Sequence, residues 1–136
     1  MNYLLDTHIW LWSIREPHRL SSRVRSVVED TDNPLWLSPI SIWEALVLIA
    51  KKRIDIKQAD PVVWVEKELF RLPLRDAPMT RQVSILTSTI SLQHSDLADR
   101  FLVATAIAYD LTFITADAKL IQQESCTMLP NEVLHR

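Results

Sequence analysis

The chain has 136 residues, 48% hydrophobic and 24% charged, with 15 Lys+Arg against 17 Asp+Glu and a net charge of -2. That length supports one compact domain over residues 1–136, the composition excludes a disordered chain, and the charge excludes a wholesale nucleic-acid coat protein. A lone Cys126 cannot form an internal disulfide, no apolar run reaches the ~20 residues that span a bilayer, and residues 1–6 lack a signal peptide's charged start, so a cytoplasmic protein is expected.

Residues 2–5 read as a buried strand stopped by Asp6-Thr7, and 7–12 as one or two helical turns. Residues 20–29 place Leu20, Val24, Val27 and Val28 on one face of an amphipathic helix. A turn over 30–34 leads to a short strand at 35–37. Ser38 then caps a helix with Pro39 in its first position. That helix, 40–51, is apolar on nearly every side, which predicts cover on both faces. Asp60-Pro61 opens another helix to about residue 69. Residues 70–72 read as a third strand, 72–78 as a loop, and 78–90 as a helix. A helix over 96–110, a strand at 111–115, a short helix at 118–123 and a strand at 127–129 complete the chain. Strands alternating with helices predict an α/β fold with a mainly parallel sheet. The absence of glycine removes the phosphate-cradling P-loop and the dinucleotide fingerprint.

In such a sheet, strand C-termini and helix N-termini share one edge, where ligands bind. Asp6 ends the first strand, Glu44 lies in the helix after the second, Asp96 and Asp99 open the helix before 111–115, and Asp117 follows that strand. If strands 2–5 and 111–115 are central neighbours, Asp6 and Asp117 meet. Each acid also has a local role: Asp6 and Asp117 as N-caps, Asp96 to Asp99 as a capping pair, Ser41 to Glu44 as a capping box. Two features weigh against purely local roles. Glu44 falls about six positions beyond the Ser38 cap, too deep to cap the helix. Asp6 and Glu44 are also embedded in apolar sequence, where an unpartnered carboxylate is costly. Two carboxylates ~5 Å apart repel by roughly 3 kcal/mol at an effective dielectric of about 20. Several such pairs rival the ~5–15 kcal/mol stability of a domain. Either some acids hold protons or a cation lies among them. All-oxygen donors favour Mg²⁺ or Mn²⁺ over zinc, and a Mg²⁺ that shares its shell with phosphate points to phosphodiester hydrolysis.

Four segments carry a resemblance: Leu4-Leu5-Asp6-Thr7-His8, Ser38-Pro39-Ile40-Ser41-Ile42-Trp43-Glu44, His94 through Ala106, and Phe113-Ile114-Thr115-Ala116-Asp117. Their order and spacing resemble PIN-domain ribonucleases, and among these the VapC-type toxins of toxin–antitoxin pairs. The resemblance implies a three-layer α/β/α domain with about five parallel strands. It implies a metal-dependent endoribonuclease acting on RNA, restrained by a cognate antitoxin and often homodimeric. Carried onto this sequence, Asp6, Glu44, Asp99 and Asp117 are the acidic site residues, with Asp6, Asp99 and Asp117 holding Mg²⁺ or Mn²⁺. Thr7 and Thr115 are supporting hydroxyls, and Asp96 and Arg100 flank the third acid. The sequence departs from many relatives at Leu48, where they carry lysine, and at Lys52, where they carry glycine.

Other residues fall outside these motifs. His8, His18, His94 and His135 lack metal-ligand spacing; His8 follows Asp6 and could face the cleft, but a turn or core position is expected. Trp10, Trp12, Trp36, Trp43 and Trp64 can stack bases, but most are expected in the core or an interface; Trp10 and Trp12 cannot face the same way on one helix, which leaves one of them able to be exposed. Lys51-Lys52-Arg53 and the group Arg15, Arg19, Arg23 and Arg25 supply basic patches to offset the acidic edge. A response-regulator receiver would need an adjacent acid pair after the first strand. A phosphatase with an aspartyl nucleophile would need an acid where His8 stands. The alternative that remains is a catalytically silent PIN-like module binding RNA or protein.

Overall fold

The computed structural model describes residues 1–90 and 96–132. His94 and Ser95 of the third motif, and His135, lie outside the described residues. Five strands form one parallel sheet: β1 (Tyr3–Leu5), β2 (Leu35–Leu37), β3 (Leu74–Asp76), β4 (Thr112–Thr115) and β5 (Met128–Pro130), in the order β3-β2-β1-β4-β5. The expected central pair forms, with Tyr3, Leu4 and Leu5 in register with Thr112, Phe113 and Ile114.

Successive strand residues point to opposite faces. Leu5 and Ile114 join one apolar cluster, against α1 (Thr7–Arg15), α2 (Ser22–Glu29), α3 (Pro39–Ala50) and α4 (Pro61–Glu68). Leu4 and Phe113 join the other, against α5 (Arg81–Leu86), α6 (Leu97–Ala108) and α7 (Ala118–Gln123). The result is the expected α/β/α sandwich. Short-range chemistry sets the helix starts: Ser21, Ser38, Asp60, Thr80, Asp96 and Asp117 each accept a backbone N–H of the first turn.

Lacking glycine, the chain ends helices with other residues in the left-handed region: Lys52 at φ 57°, Asp110 at 54° and Glu124 at 50°. After α3 the Lys52 amide donates to the Ile49 carbonyl and the Arg53 amide to that of Leu48, the paired bonds of a Schellman turn. Lys52 therefore makes a turn that usually falls to glycine, at the steric cost of its Cβ.

Four expectations need correction. Residues 70–72 are not a strand: Phe70 is 89% exposed, and the Phe70 and Arg71 amides bond back to Lys67 and Glu68 as the end of α4 unwinds. The third strand lies instead at Leu74–Asp76, within the expected loop, where it pairs with Leu35–Leu37. Helix α1 runs on to Arg15, beyond the expected two turns, and stops ahead of Pro17. The helix expected over 78–90 begins only after the Thr80 cap and ends in a 3₁₀ turn, Thr87–Thr89. Finally, α3 fully buries only Ser41, Ala45 and Ile49, with Ile40, Ile42, Leu46 and Leu48 half-buried around them, while Trp43 is 57% exposed, so this chain leaves part of the helix uncovered.

Candidate active site

Helices α1, α6 and α7 all start at the C-terminal edge of the sheet, and their caps bring the acids there. A cleft of about 270 Å³ is lined by Asp6, Thr7, His8, Trp12, Glu44, Asp96, Asp99, Ala116 and Asp117. All four expected catalytic acids are therefore on one cleft, with Asp96 beside them.

The local and functional roles coexist. Asp6 caps α1 through Oδ1, which accepts the Thr7 amide at 2.8 Å, while Oδ2 accepts the Thr115 hydroxyl at 2.7 Å. The same Thr115 oxygen accepts the Asp117 amide at 3.1 Å, so one hydroxyl joins the ends of β1 and β4. Asp117 Oδ1 accepts the amides of Lys119 and Leu120. Asp96 Oδ1 accepts those of Ala98 and Asp99, which fixes the first turn of α6. Glu44 is tied down from a distance: the Thr7 hydroxyl donates to its Oε1 at 2.6 Å and lies 2.9 Å from Ser41 Oγ. Both expected supporting hydroxyls thus position carboxylates. Arg100 does not reach the cleft. Its guanidinium donates to the carbonyls of Thr87 and Ile90 and anchors that segment to α6.

Burial pushes the Asp6 carboxyl up to about 6, against the pull of its bonds from Thr115 and Thr7, with the Asp117 and Asp96 charges adding to the rise. Asp99 is only 8% exposed, and burial together with the charges of Asp6, Asp96, Asp117 and Glu44 pushes it up to about 8. Glu44 is also raised, first by burial and then by Asp6 and Asp96, while the Thr7 bond and His8 oppose the rise. All three carboxyls are raised first by burial and then by the charges of neighbouring acids, and Asp99 is raised far enough to hold its proton at neutral pH.

Among the described residues, no three side chains of His, Cys, Asp or Glu already stand in a metal-ligand arrangement. The donor set nonetheless suits a hard cation: every charged oxygen on the cleft is a carboxylate, and Mg²⁺ keeps several waters and needs only one or two direct carboxylates. A divalent charge would also offset the repulsion that raises Asp6 and Asp99.

His8 departs from its expected place. It is exposed on the cleft, with its ring 5.7 Å from that of Trp12. Trp10 is fully buried and Trp12 lines the cleft, so the two tryptophans divide as their spacing requires.

The PIN domain family matches the chain over residues 3–124. Ribonuclease VapC22 of Mycobacterium tuberculosis (strain ATCC 25618 / H37Rv) is 32% identical over 121 residues, which cover 86% of this chain and 88% of that protein. Two crystal structures share the fold. VapBC2 from Rickettsia felis, bound to a DNA fragment from their promoter, superposes with a TM-score of 0.71 at 17% identity, over 97% of this chain and 100% of the other. DNA-bound VapBC from Salmonella typhimurium superposes with a TM-score of 0.68 at 16% identity, over 96% and 98%.

Proposed function

The chain belongs to the PIN-domain family, in its VapC branch, and from that membership we propose that it is a divalent-metal-dependent endoribonuclease, the toxin of a toxin–antitoxin pair. One observation carries the chemistry: Asp6, Glu44, Asp99 and Asp117, from four separate elements, line a single cleft that raises the proton affinity of three of them.

Asp6, Asp99 and Asp117 would hold Mg²⁺ or Mn²⁺. When bound, such an ion neutralises phosphate charge and acidifies water. Thr115 holds Asp6 in place and, through the Asp117 amide, sets the spacing of two of these acids. Glu44, fixed by Thr7, orients the attacking water and takes its proton; its raised proton affinity makes it a stronger base than a free glutamate. The water oxygen bonds to phosphorus, the bond to the 3′ oxygen breaks, and that oxygen leaves with a proton from solvent. The products are a 5′-phosphate and a 3′-hydroxyl. Asp96 keeps the first turn of α6, and with it Asp99, in position.

The partners follow the same proposal: RNA as substrate, a cognate antitoxin as restraint, and a second copy of the chain, in the cytoplasm. No helix among the described residues is long and apolar enough to cross a membrane. The exposed Trp43 on α3 supports a protein partner there.

Incubation of purified protein with RNA, with and without Mg²⁺, followed by end mapping, tests the proposal. Cleavage that needs the metal, leaves 5′-phosphates and is lost in Asp99→Asn is the expected result. Cleavage persisting in EDTA, or in an Asp6→Asn/Asp99→Asn double variant, would overturn it.

A further inference from the structure

RNA is a polyanion, and a cleft lined by Asp6, Glu44, Asp96, Asp99 and Asp117 repels it. A divalent ion answers for the scissile phosphate but gives sugar and base nothing to bind. The cleft lining offers one surface of a different kind. His8 and Trp12, one turn apart on α1, both face it, with ring centroids 5.7 Å apart and planes tilted by 34°. His8 is exposed and Trp12 half-buried. The Arg19 guanidinium lies over the Trp12 ring at 4.4 Å and is itself held 3.5 Å from Glu16. This contact restrains the indole before any ligand arrives, so little side-chain freedom remains to be lost on binding.

We propose that His8 and Trp12 are the platform on which the nucleobase beside the scissile phosphate stacks. The inference rests on the nuclease proposal above. A base inside a duplex has both faces covered by its neighbours and cannot reach such a platform without being unstacked. Stacking tolerates every base, because each has a π-face. The platform therefore supplies affinity for any base, and base choice falls to other contacts.

The test measures binding apart from cleavage, in the Asp99→Asn protein. The probe is a fluorescein-labelled single-stranded oligoribonucleotide about eight nucleotides long, with companions that carry one abasic nucleotide at each position in turn. Trp12→Leu is expected to weaken binding of the intact strand by about 10-fold, within the range measured for a lost base–aromatic stack, and Trp12→Phe by less than about 3-fold. One abasic position should weaken binding to the Trp12 protein and not to the Trp12→Leu protein. Equal affinity of both proteins for every strand overturns the platform. So does the same abasic pattern in both, or Trp12→Leu weakening a fully abasic strand as much as the intact one. Thermal melting of each variant checks that a loss is not unfolding. With Asp99 restored, Trp12→Leu should raise KM for cleavage and leave kcat within about 2-fold. If the Trp12 protein binds as expected but never cuts RNA, the nuclease proposal fails and the platform stands. If it cuts RNA with KM unaltered by Trp12→Leu, the platform fails alone.

Discussion

Removing one cleft carboxylate should stabilise the metal-free protein while abolishing activity. Asp99 holds its proton up to about pH 8 in the fold, whereas the ordinary aspartate value is 3.8. Below 3.8 the group is neutral in both states and costs nothing. As pH rises toward 8, the unfolded chain has released the proton and the folded chain has not, so stability falls until the folded group ionises. At about 1.36 kcal/mol per unit, the shift of about four units bounds the full penalty at roughly 5–6 kcal/mol. Asp6 titrates in the same cleft, so part of that penalty is shared and about 2–4 kcal/mol is expected from Asp99 alone. Asp99→Asn removes the charge and keeps the shape. Its gain over wild type should be near zero at pH 4 and grow to about 2–4 kcal/mol at pH 8, or roughly 6–12 °C in Tm for a chain of this length. Calorimetry or denaturant melts across that pH range, in EDTA, give the difference directly. Saturating Mg²⁺ should then narrow the gap by stabilising wild type alone. A gain that does not depend on pH, or a variant less stable than wild type at pH 8, would refute the electrostatic reasoning.

Further outcomes follow from single contacts. Thr115→Val removes the hydroxyl that donates to Asp6 and accepts from Asp117, and should cost about 1–3 kcal/mol. The same change raises the Asp6 value above about 6, so the acid limb of the pH–rate profile should move to higher pH. Lys52→Gly relieves a left-handed residue in the turn after α3 and should raise stability by about 0.5–1 kcal/mol in a urea melt; a loss would show that the Lys52 side chain matters there. Leu102→Ala opens a cavity under α6 at a fully buried position and should cost about 2–5 kcal/mol, read by the same melt.

Features governed by neighbouring residues were legible in the sequence. Ser38-Pro39, Asp60-Pro61 and Asp117 announced their helices because a cap acts within its own first turn. The meeting of Asp6 and Asp117 was legible too, since it needs only that β1 and β4 be neighbours. What the sequence hid is set from a distance. Strand β3 has one half-buried and two exposed residues, and exists because β2 offers it a pairing edge. The alternating triplet Phe70-Arg71-Leu72 resembles a strand more closely, yet α4 claims the first two of its amides. The tether from Thr7 to Glu44 spans 37 positions, and no local pattern encodes it. Arg100 adjoins Asp99 in sequence, but one helical step of about 100° turns it toward the Thr87 and Ile90 carbonyls. His8 follows an acid in an apolar run and so resembled a turn or core residue; the placement of α1 at the sheet edge is what exposes it on the cleft.

Titration of the purified protein with Mn²⁺, followed by calorimetry beside an Asp6→Asn/Asp99→Asn variant, addresses most directly whether acids from separate elements together hold a divalent ion. Saturable binding by wild type that is weakened at least about 10-fold in a folded variant is the predicted result. Equal binding by both proteins would contradict it.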